Sequence, residues 1–175
     1  MINKKDIPVY TFIAVILFIT VTGVIYDAKA LFGKDYDIAS NLEVRTESDD
    51  NSGVKVIDTD HIRIELSHGK SWSYNTDSKS SITIYNEESK NAGSGGVLVS
   101  IMAFSLDDTG YEAFPDFSII GETEGMRYIA VYPTDVQFDP ENNKAMEDYR
   151  SVMQEISKIR SNDADSPVTI KGRYN

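Results

Sequence analysis

The feature that most constrains this chain is an uncharged, almost wholly apolar run at residues 7–26. At about 1.5 Å per residue in a helix, the run reaches roughly 30 Å, the thickness of the hydrocarbon core of a bilayer. Lys4 and Lys5 precede the run and no positive excess follows it, which places residues 1–6 in the cytoplasm. The sequence therefore predicts an N-terminal transmembrane helix, a signal anchor whose partner is the lipid bilayer, with the rest of the chain outside the cell membrane.

A cleaved signal peptide is the alternative interpretation of this run. Ala28, Lys29 and Ala30 form the small-x-small pattern of a signal-peptidase site, and cleavage after Ala30 would give a secreted protein. The apolar run is longer than the ~7–15 residues of a typical signal peptide, which favours the uncleaved anchor. Both interpretations export the same domain.

Charge and cysteine content narrow the function of the exported part. The 175 residues include 17 Lys and Arg and 28 Asp and Glu, which gives a formal net charge of -11, and there is no cysteine. An acidic chain binds nucleic acid poorly, because that binding depends on Lys and Arg displacing counterions from phosphates. The lack of cysteine excludes disulfides, thiolate metal sites and cysteine nucleophiles.

Composition divides the exported part into two regions. Residues 27–60 are polar and poor in aromatic side chains, which predicts an extracytoplasmic stalk, although residues 54–57 are apolar enough for a short leading strand. Residues 61–175 are predicted to form an extracytoplasmic domain. Alternating apolar residues predict a strand at 61–67, and further strands are expected at 81–85, 97–104, 117–120, 126–132 and 168–170.

One helix is predicted near the C-terminus. Asp139 suits the N-cap and Pro140 the first helical position. Apolar side chains then recur at spacings of three and four, at Ala145, Met146, Tyr149, Val152, Met153, Ile156 and Ile159. Strands followed by a long amphipathic helix predict an α+β fold, in which an antiparallel β-sheet is covered by that helix.

The chain carries no motif that predicts catalysis, a metal site or a cofactor. Gly69-Lys70-Ser71 lacks the upstream glycine of a phosphate-binding loop. His61 and His68 have no further ligand at zinc spacing. With 28 acidic residues, paired carboxylates are expected by chance. We therefore assign no catalytic residue, no metal and no cofactor.

Aromatic side chains are the remaining candidates for a binding surface. Trp72 and Tyr74 follow the first predicted strand, whereas Tyr128 and Tyr132 lie in a late strand, with Asp135 in the loop after it. Aromatic groups are common in ligand grooves and at protein interfaces. The alternative is that these rings pack in the core and only their hydroxyl groups reach solvent.

Two stretches carry a family resemblance: Gly95-Gly96-Val-Leu-Val-Ser-Ile101 and Tyr132-Pro-Thr-Asp-Val-Gln-Phe-Asp-Pro-Glu-Asn142. Together they resemble an uncharacterised exported domain of Gram-positive Firmicutes, found behind a membrane segment or signal peptide and sometimes linked to antibiotic-sensing membrane metallopeptidases. The order of strands is similar to the Mog1/PsbP-like α+β sandwich. The resemblance covers about residues 60–160 and implies a non-catalytic module. No His-Glu-x-x-His motif is present, so no peptidase activity is implied.

Three functions follow from these observations. The leading hypothesis is a non-enzymatic, membrane-tethered extracytoplasmic module that binds a membrane protein or a small-molecule ligand through Trp72, Tyr74, Tyr128, Tyr132 and Asp135. The first alternative is a hydrolase or lyase that uses paired carboxylates. The second alternative is a structural subunit of a membrane complex.

Overall fold

The computed structural model describes residues 37–47, 53–67, 71–78, 80–123, 125–161 and 164–172. The predicted transmembrane helix at 7–26 and the candidate cleavage site after Ala30 lie outside these residues. Among the helices of the described residues, none is long and apolar enough to cross a membrane.

The first sheet has four antiparallel strands. Its order is β1-β2-β3-β9, and the strands are β1 (Glu43–Glu47), β2 (Val54–Asp58), β3 (Ile62–Ser67) and β9 (Val168–Ile170). The alternation predicted for β3 is confirmed, because Ile62, Ile64 and Leu66 are buried while the residues between them are not. One face of this sheet therefore belongs to the core, as the period of two requires.

The second sheet has five antiparallel strands in the order β4-β5-β6-β8-β7. The strands are β4 (Trp72–Ser78), β5 (Ser81–Asn86), β6 (Val97–Ser105), β7 (Phe117–Thr123) and β8 (Met126–Val131). The apolar sequence of β6 predicts a central strand, and β6 is indeed the middle strand of the five.

Two α-helices and one 3-10 turn complete the described structure: α1 (Glu87–Asn91), the 3-10 turn (Gly110–Ala113) and α2 (Asn143–Ser161). The apolar stripe predicted for α2 is confirmed, with Ala145, Tyr149, Val152, Ile156 and Ile159 buried. The predicted N-cap is wrong by three residues. The Ala145 amide donates to Asn142 Oδ1 at 3.1 Å, so Asn142 caps α2. Asp139 accepts from the Glu141 amide at 2.9 Å, in a turn that precedes the helix.

One hydrophobic core joins both sheets and α2. It contains Ile57 and Ile64 from the first sheet, Ile84 and Ile101 from the second and Ile156 from α2, all fully buried. Loss of water contact at these apolar surfaces is the main favourable contribution to folding.

The predicted fold class is wrong. The described residues are mostly β, with two antiparallel sheets in place of one sheet covered by a helix, and the Mog1/PsbP-like arrangement is corrected with it. The difference comes from β1 and β2, which lie within the range 27–60 predicted as a stalk, although residues 54–57 were expected as a possible leading strand. Strand β1 pairs with β2, and β2 pairs with β3. The sequence of β1, Glu-Val-Arg-Thr-Glu, lacks the apolar periodicity that identifies a strand, because its side chains are all exposed.

Candidate functional site

The two motifs of the family resemblance meet at a turn formed by Gly95 and Gly96. Both glycines have positive φ, of 87° and 73°, a conformation that side chains with a Cβ rarely adopt. At Gly96, a Cβ would lie 2.6 Å from the Asn86 carbonyl oxygen and 2.7 Å from the Lys90 amide nitrogen. At Gly95, a Cβ would overlap the side chain of Gln137. The turn thus requires glycine and lets residues 132–142 approach the start of β6.

Residues 132–142, which we call the anchored loop, are fixed to this turn mainly by Gln137. The Gly96 amide donates to the Gln137 carbonyl oxygen at 3.0 Å, and the Val97 amide donates to Gln137 Oε1 at 3.3 Å. Gln137 Nε2 donates to Asp135 Oδ1 at 2.6 Å, which orients the side-chain amide. At the start of the loop, the Tyr132 amide donates to the Asp116 carbonyl oxygen at 3.0 Å.

The helix α2 holds the other side of the anchored loop. The ring of Phe138 packs against Tyr149 with 5.3 Å between ring centroids, and Tyr149 Oη donates to the Val97 carbonyl oxygen at 2.8 Å. Burial raises the pKa of Tyr149 to about 12, and the negative charge of Asp135 adds to this rise. Tyr149 is therefore a neutral hydrogen-bond donor at physiological pH.

A buried asparagine supports the glycine turn from within. Asn86 is fully buried. Its main-chain amide donates to the Gly96 carbonyl oxygen at 2.7 Å. Its side-chain Nδ2 donates to Asp148 Oδ2 at 2.6 Å and to the Ser71 carbonyl oxygen at 3.0 Å, while its Oδ1 accepts from the Ser89 amide at 2.9 Å. These bonds tie α1, α2 and the residue before β4 to one side chain, so the turn has a rigid base.

The exposed tip of the anchored loop is formed by Thr134, Asp135 and Val136. Val136 is 64% exposed, more than any other large hydrophobic residue of the described chain. An apolar side chain and a carboxylate are thus presented side by side on a loop with fixed ends. Such a tip is suited to contact another molecule, because binding sites are commonly carried on loops positioned by a rigid scaffold.

The structure separates the five predicted site residues. Trp72, Tyr128 and Tyr132 are buried in the hydrophobic core, and Tyr74 is partly buried and packs against it. Only Asp135 is exposed. The four aromatic rings therefore follow the alternative of core packing, and they do not form an accessible groove.

Two of these rings also carry basic side chains on their faces. Lys55 Nζ lies 4.5 Å from the centroid of the Trp72 ring, and the Arg160 guanidinium lies 4.0 Å from that of Tyr132. Arg160 also binds both carboxylate oxygens of Asp116, at 2.6 and 2.9 Å, which holds the pKa of Asp116 below its usual value. The Lys55 contact joins β2 to β4, and the Arg160 contacts join α2 to Tyr132 and to the residue before β7, so both serve packing.

A cleft of about 340 Å³ lies between the first sheet and the C-terminal part of α2. Its charged lining residues are Glu65, Glu155, Lys158 and Asp165. Glu155 accepts from the Ser67 amide at 3.0 Å, and Glu65 is paired with Arg63. Two of the three carboxylates thus already form structural interactions.

No family model, curated protein or solved structure matches the chain. The resemblance to an exported Firmicutes domain therefore stays a prediction that rests on the two motifs. Those motifs are in contact, since Gly96 and Val97 bind Gln137 directly.

Sequence reasoning missed Gln137, Asn86 and the bond from Tyr149 to Val97. One signal was present, because Gly95 and Gly96 are adjacent and β6 follows them at once. Adjacent glycines before a buried strand indicate close approach of another segment, but they do not identify which segment approaches.

Proposed function

We propose that this protein is a non-enzymatic, membrane-tethered extracytoplasmic module that binds a protein partner through the tip of its anchored loop. The tether and the location rest on the apolar run at 7–26 and on Lys4 and Lys5. The single observation that carries the binding role is the exposure of Val136, at 64%, on a loop fixed at both ends.

The fixed ends of the loop favour binding for an entropic reason. A flexible segment loses conformational freedom when it binds, whereas a segment already held in one conformation loses less. Gln137 and Tyr132 hold the two sides of the tip by main-chain hydrogen bonds. The partner that fits has an apolar pocket for Val136 and a basic or hydrogen-bond-donating group beside it for Asp135.

The experiment places a photo-crosslinking amino acid at Val136 of the full-length protein in its native membrane. The matched control carries the same amino acid at Leu106, which is 42% exposed and lies outside the anchored loop. We expect a discrete protein adduct from position 136 and none from position 106. The additional substitution Asp135→Asn, which keeps an oxygen acceptor for Gln137, should reduce the adduct, because the partner is expected to present positive charge there. Equal adducts from both positions, or none from position 136, would contradict the proposal.

The carboxylate-dependent hydrolase or lyase is the second candidate, and the cleft beside Glu155 and Asp165 is the observation that favours it. The test is whether the full-length protein catalyses a hydrolase or lyase reaction. If Glu155→Gln or Asp165→Asn abolishes that reaction without changing stability, the enzyme is favoured over the binding module. The structural-subunit alternative predicts instead adducts from both Val136 and Leu106 to neighbours in one complex.

A further inference from the structure

The side chain of Gln137 connects the tip of the anchored loop to β6. Its Oε1 accepts from the Val97 amide at 3.3 Å, and its Nε2 donates to Asp135 Oδ1 at 2.6 Å. A side-chain amide has one accepting end and one donating end, and the Val97 amide can only donate. The accepting end therefore faces β6, and the donating end is left for Asp135. Through Gln137, β6 thus determines where the carboxylate of the tip is held.

Asp135 keeps its negative charge although its carboxylate is held in place. Among the described residues it forms no ion pair, and its hydrogen-bond donor is the neutral amide of Gln137. Asp116 differs, because both of its carboxylate oxygens are bound by the Arg160 guanidinium. A carboxylate that is paired with a cation attracts a second cation only weakly, whereas one held by an amide keeps its full attraction. The tip is therefore suited to bind a cationic group.

Gly95 leaves the space that the Gln137 amide occupies. The three atoms nearest to a Cβ at Gly95 all belong to the Gln137 side chain, and Oε1 would overlap that Cβ. Gly93 has a similar backbone conformation, with φ of 81° against 87°, but nothing lies within 4 Å of a Cβ there. The two glycines thus share the positive φ, and they differ in that Gly95 also makes room for Gln137.

We propose that Gln137 is the positioning residue of the tip: it holds the Asp135 carboxylate beside Val136, so that the tip selects a partner segment in which a lysine or arginine adjoins an apolar side chain. This inference rests on the proposed binding function and deepens it. A carboxylate in a fixed orientation selects a cation by direction as well as by charge. A freely rotating carboxylate would instead lose side-chain entropy on binding.

The first test measures the tip without any partner. The chain has no native cysteine, so Thr134→Cys gives one attachment site for a spin label on the exposed tip of the full-length protein in lipid vesicles. Gln137→Met keeps the side-chain length and removes both hydrogen bonds, so it should increase the mobility of the label in the electron paramagnetic resonance spectrum. Gly95→Ala should do the same by displacing the Gln137 amide, whereas Gly93→Ala should not. An unchanged spectrum for Gln137→Met would overturn the proposal.

The second test uses the photo-crosslinking amino acid at position 136 of the full-length protein in its native membrane. Asp135→Asn should lower the yield of the protein adduct about tenfold, the effect of losing one hydrogen bond between charged groups. Gln137→Met should lower the yield about three- to tenfold, and it should have no further effect when Asp135→Asn is already present, because Gln137 acts through Asp135. A merely structural role would lower the yield by the same factor with or without Asp135, and that result would overturn the proposal.

Salt concentration provides a further readout of the same role. Raising it should lower the adduct yield of the unmodified tip more than that of Gln137→Met, because salt screens the attraction between Asp135 and the partner's cation. Equal salt dependence would contradict the role of Gln137. The two proposals fail in different ways. An adduct from position 136 that Gln137→Met leaves unchanged overturns this inference alone, whereas the absence of any adduct from position 136 overturns the proposed function and this inference with it.

Discussion

Both main-chain polar groups of Val97 are bound by side chains from elements distant in the sequence. Gln137 accepts from its amide, and Tyr149 donates to its carbonyl oxygen. The first residue of β6 therefore links the anchored loop to α2. The site therefore depends on the position of the main chain at Val97. Gly95 and Gly96 make that position possible, because they adopt positive φ and leave room for the neighbouring segments.

Replacement of Gly96 by alanine should destabilise the protein severely. The new Cβ would overlap main-chain atoms of Asn86 and Lys90, which cannot rotate away as a side chain could. Backbone strain and overlap together should lower the free energy of unfolding by roughly 2–5 kcal/mol, as measured by urea denaturation. Gly93→Ala is the control, since φ is also positive there but nothing lies within 4 Å, and about 1–2 kcal/mol is expected. Equal losses for the two variants would contradict this account of the turn.

Tyr149 should make stability fall at alkaline pH. Its pKa is about 12 in the folded protein and about 10 in the unfolded chain, so its contribution is complete below pH 10 and is lost as the pH rises towards 12. Complete ionisation of Tyr149 should lower the free energy of unfolding by about 2–3 kcal/mol. Urea denaturation between pH 8 and 11.5 should show a shallower fall for Tyr149→Phe than for the wild type. At neutral pH that variant should lose about 1 kcal/mol with the hydrogen bond to Val97. Parallel profiles would argue against a buried, neutral Tyr149.

The residue types at the candidate site were only partly predictable from sequence. Asp135 was correctly expected in an exposed loop, but Trp72, Tyr128 and Tyr132 are in the core. An aromatic residue type does not distinguish a binding groove from a core, because both bury the ring. These rings are buried because they share one hydrophobic core with residues of α2 and the first sheet. Those elements are distant in the sequence, so local sequence does not indicate the burial.

At the scale of elements, local sequence predicted helix α2 well but misplaced its start. Asp139 and Pro140 form a favourable start in isolation, yet Asn142 makes the capping bond. Two suitable cap residues lie three positions apart, and the sequence alone does not indicate which of them makes the capping bond. Periodicity in α2 spans several turns, so its apolar stripe was predicted from sequence alone.

Asn142→Ala should therefore lower the free energy of unfolding by about 1 kcal/mol, the typical contribution of an N-cap side chain. Asp139→Ala should have a smaller effect, because Asp139 accepts only from Glu141 in an exposed turn. Chemical denaturation followed by far-ultraviolet circular dichroism measures both changes. A larger loss for Asp139→Ala would support the start of the helix inferred from sequence.

Among the strands, those with clear apolar alternation or an uninterrupted apolar run were predicted, whereas β1 and β4 were not. Alternation identifies β3 and β5, and uninterrupted apolar sequence identifies β6. Strand β1 exposes both faces, and its pairing depends on main-chain groups that every residue possesses. Whether such a segment becomes a strand depends on the edge available to it, here that of β2, and sequence pattern does not contain this information.

At the scale of the whole molecule, the first sheet completes a core that the second sheet and α2 do not enclose alone. Ile57 in β2 and Ile64 in β3 are fully buried in the cluster that also contains Trp72 and Ile156. The part of the chain assigned to a stalk thus contributes directly to stability. We therefore predict that the folding unit begins before residue 61.

A fragment of residues 37–175 should fold, whereas a fragment of residues 61–175 should not. The shorter fragment lacks Ile38, Val56 and Ile57, which are fully buried in the structure. Each contributes about 1.5–3 kcal/mol through burial, and their sum is comparable with the whole stability of a typical domain, about 5–15 kcal/mol. Fluorescence of Trp72, the only tryptophan, and circular dichroism should report one shared urea transition for the longer fragment and none for the shorter. Matching transitions for the two fragments would show that β1 and β2 are dispensable, and the folding unit would then begin at the boundary that composition alone indicates.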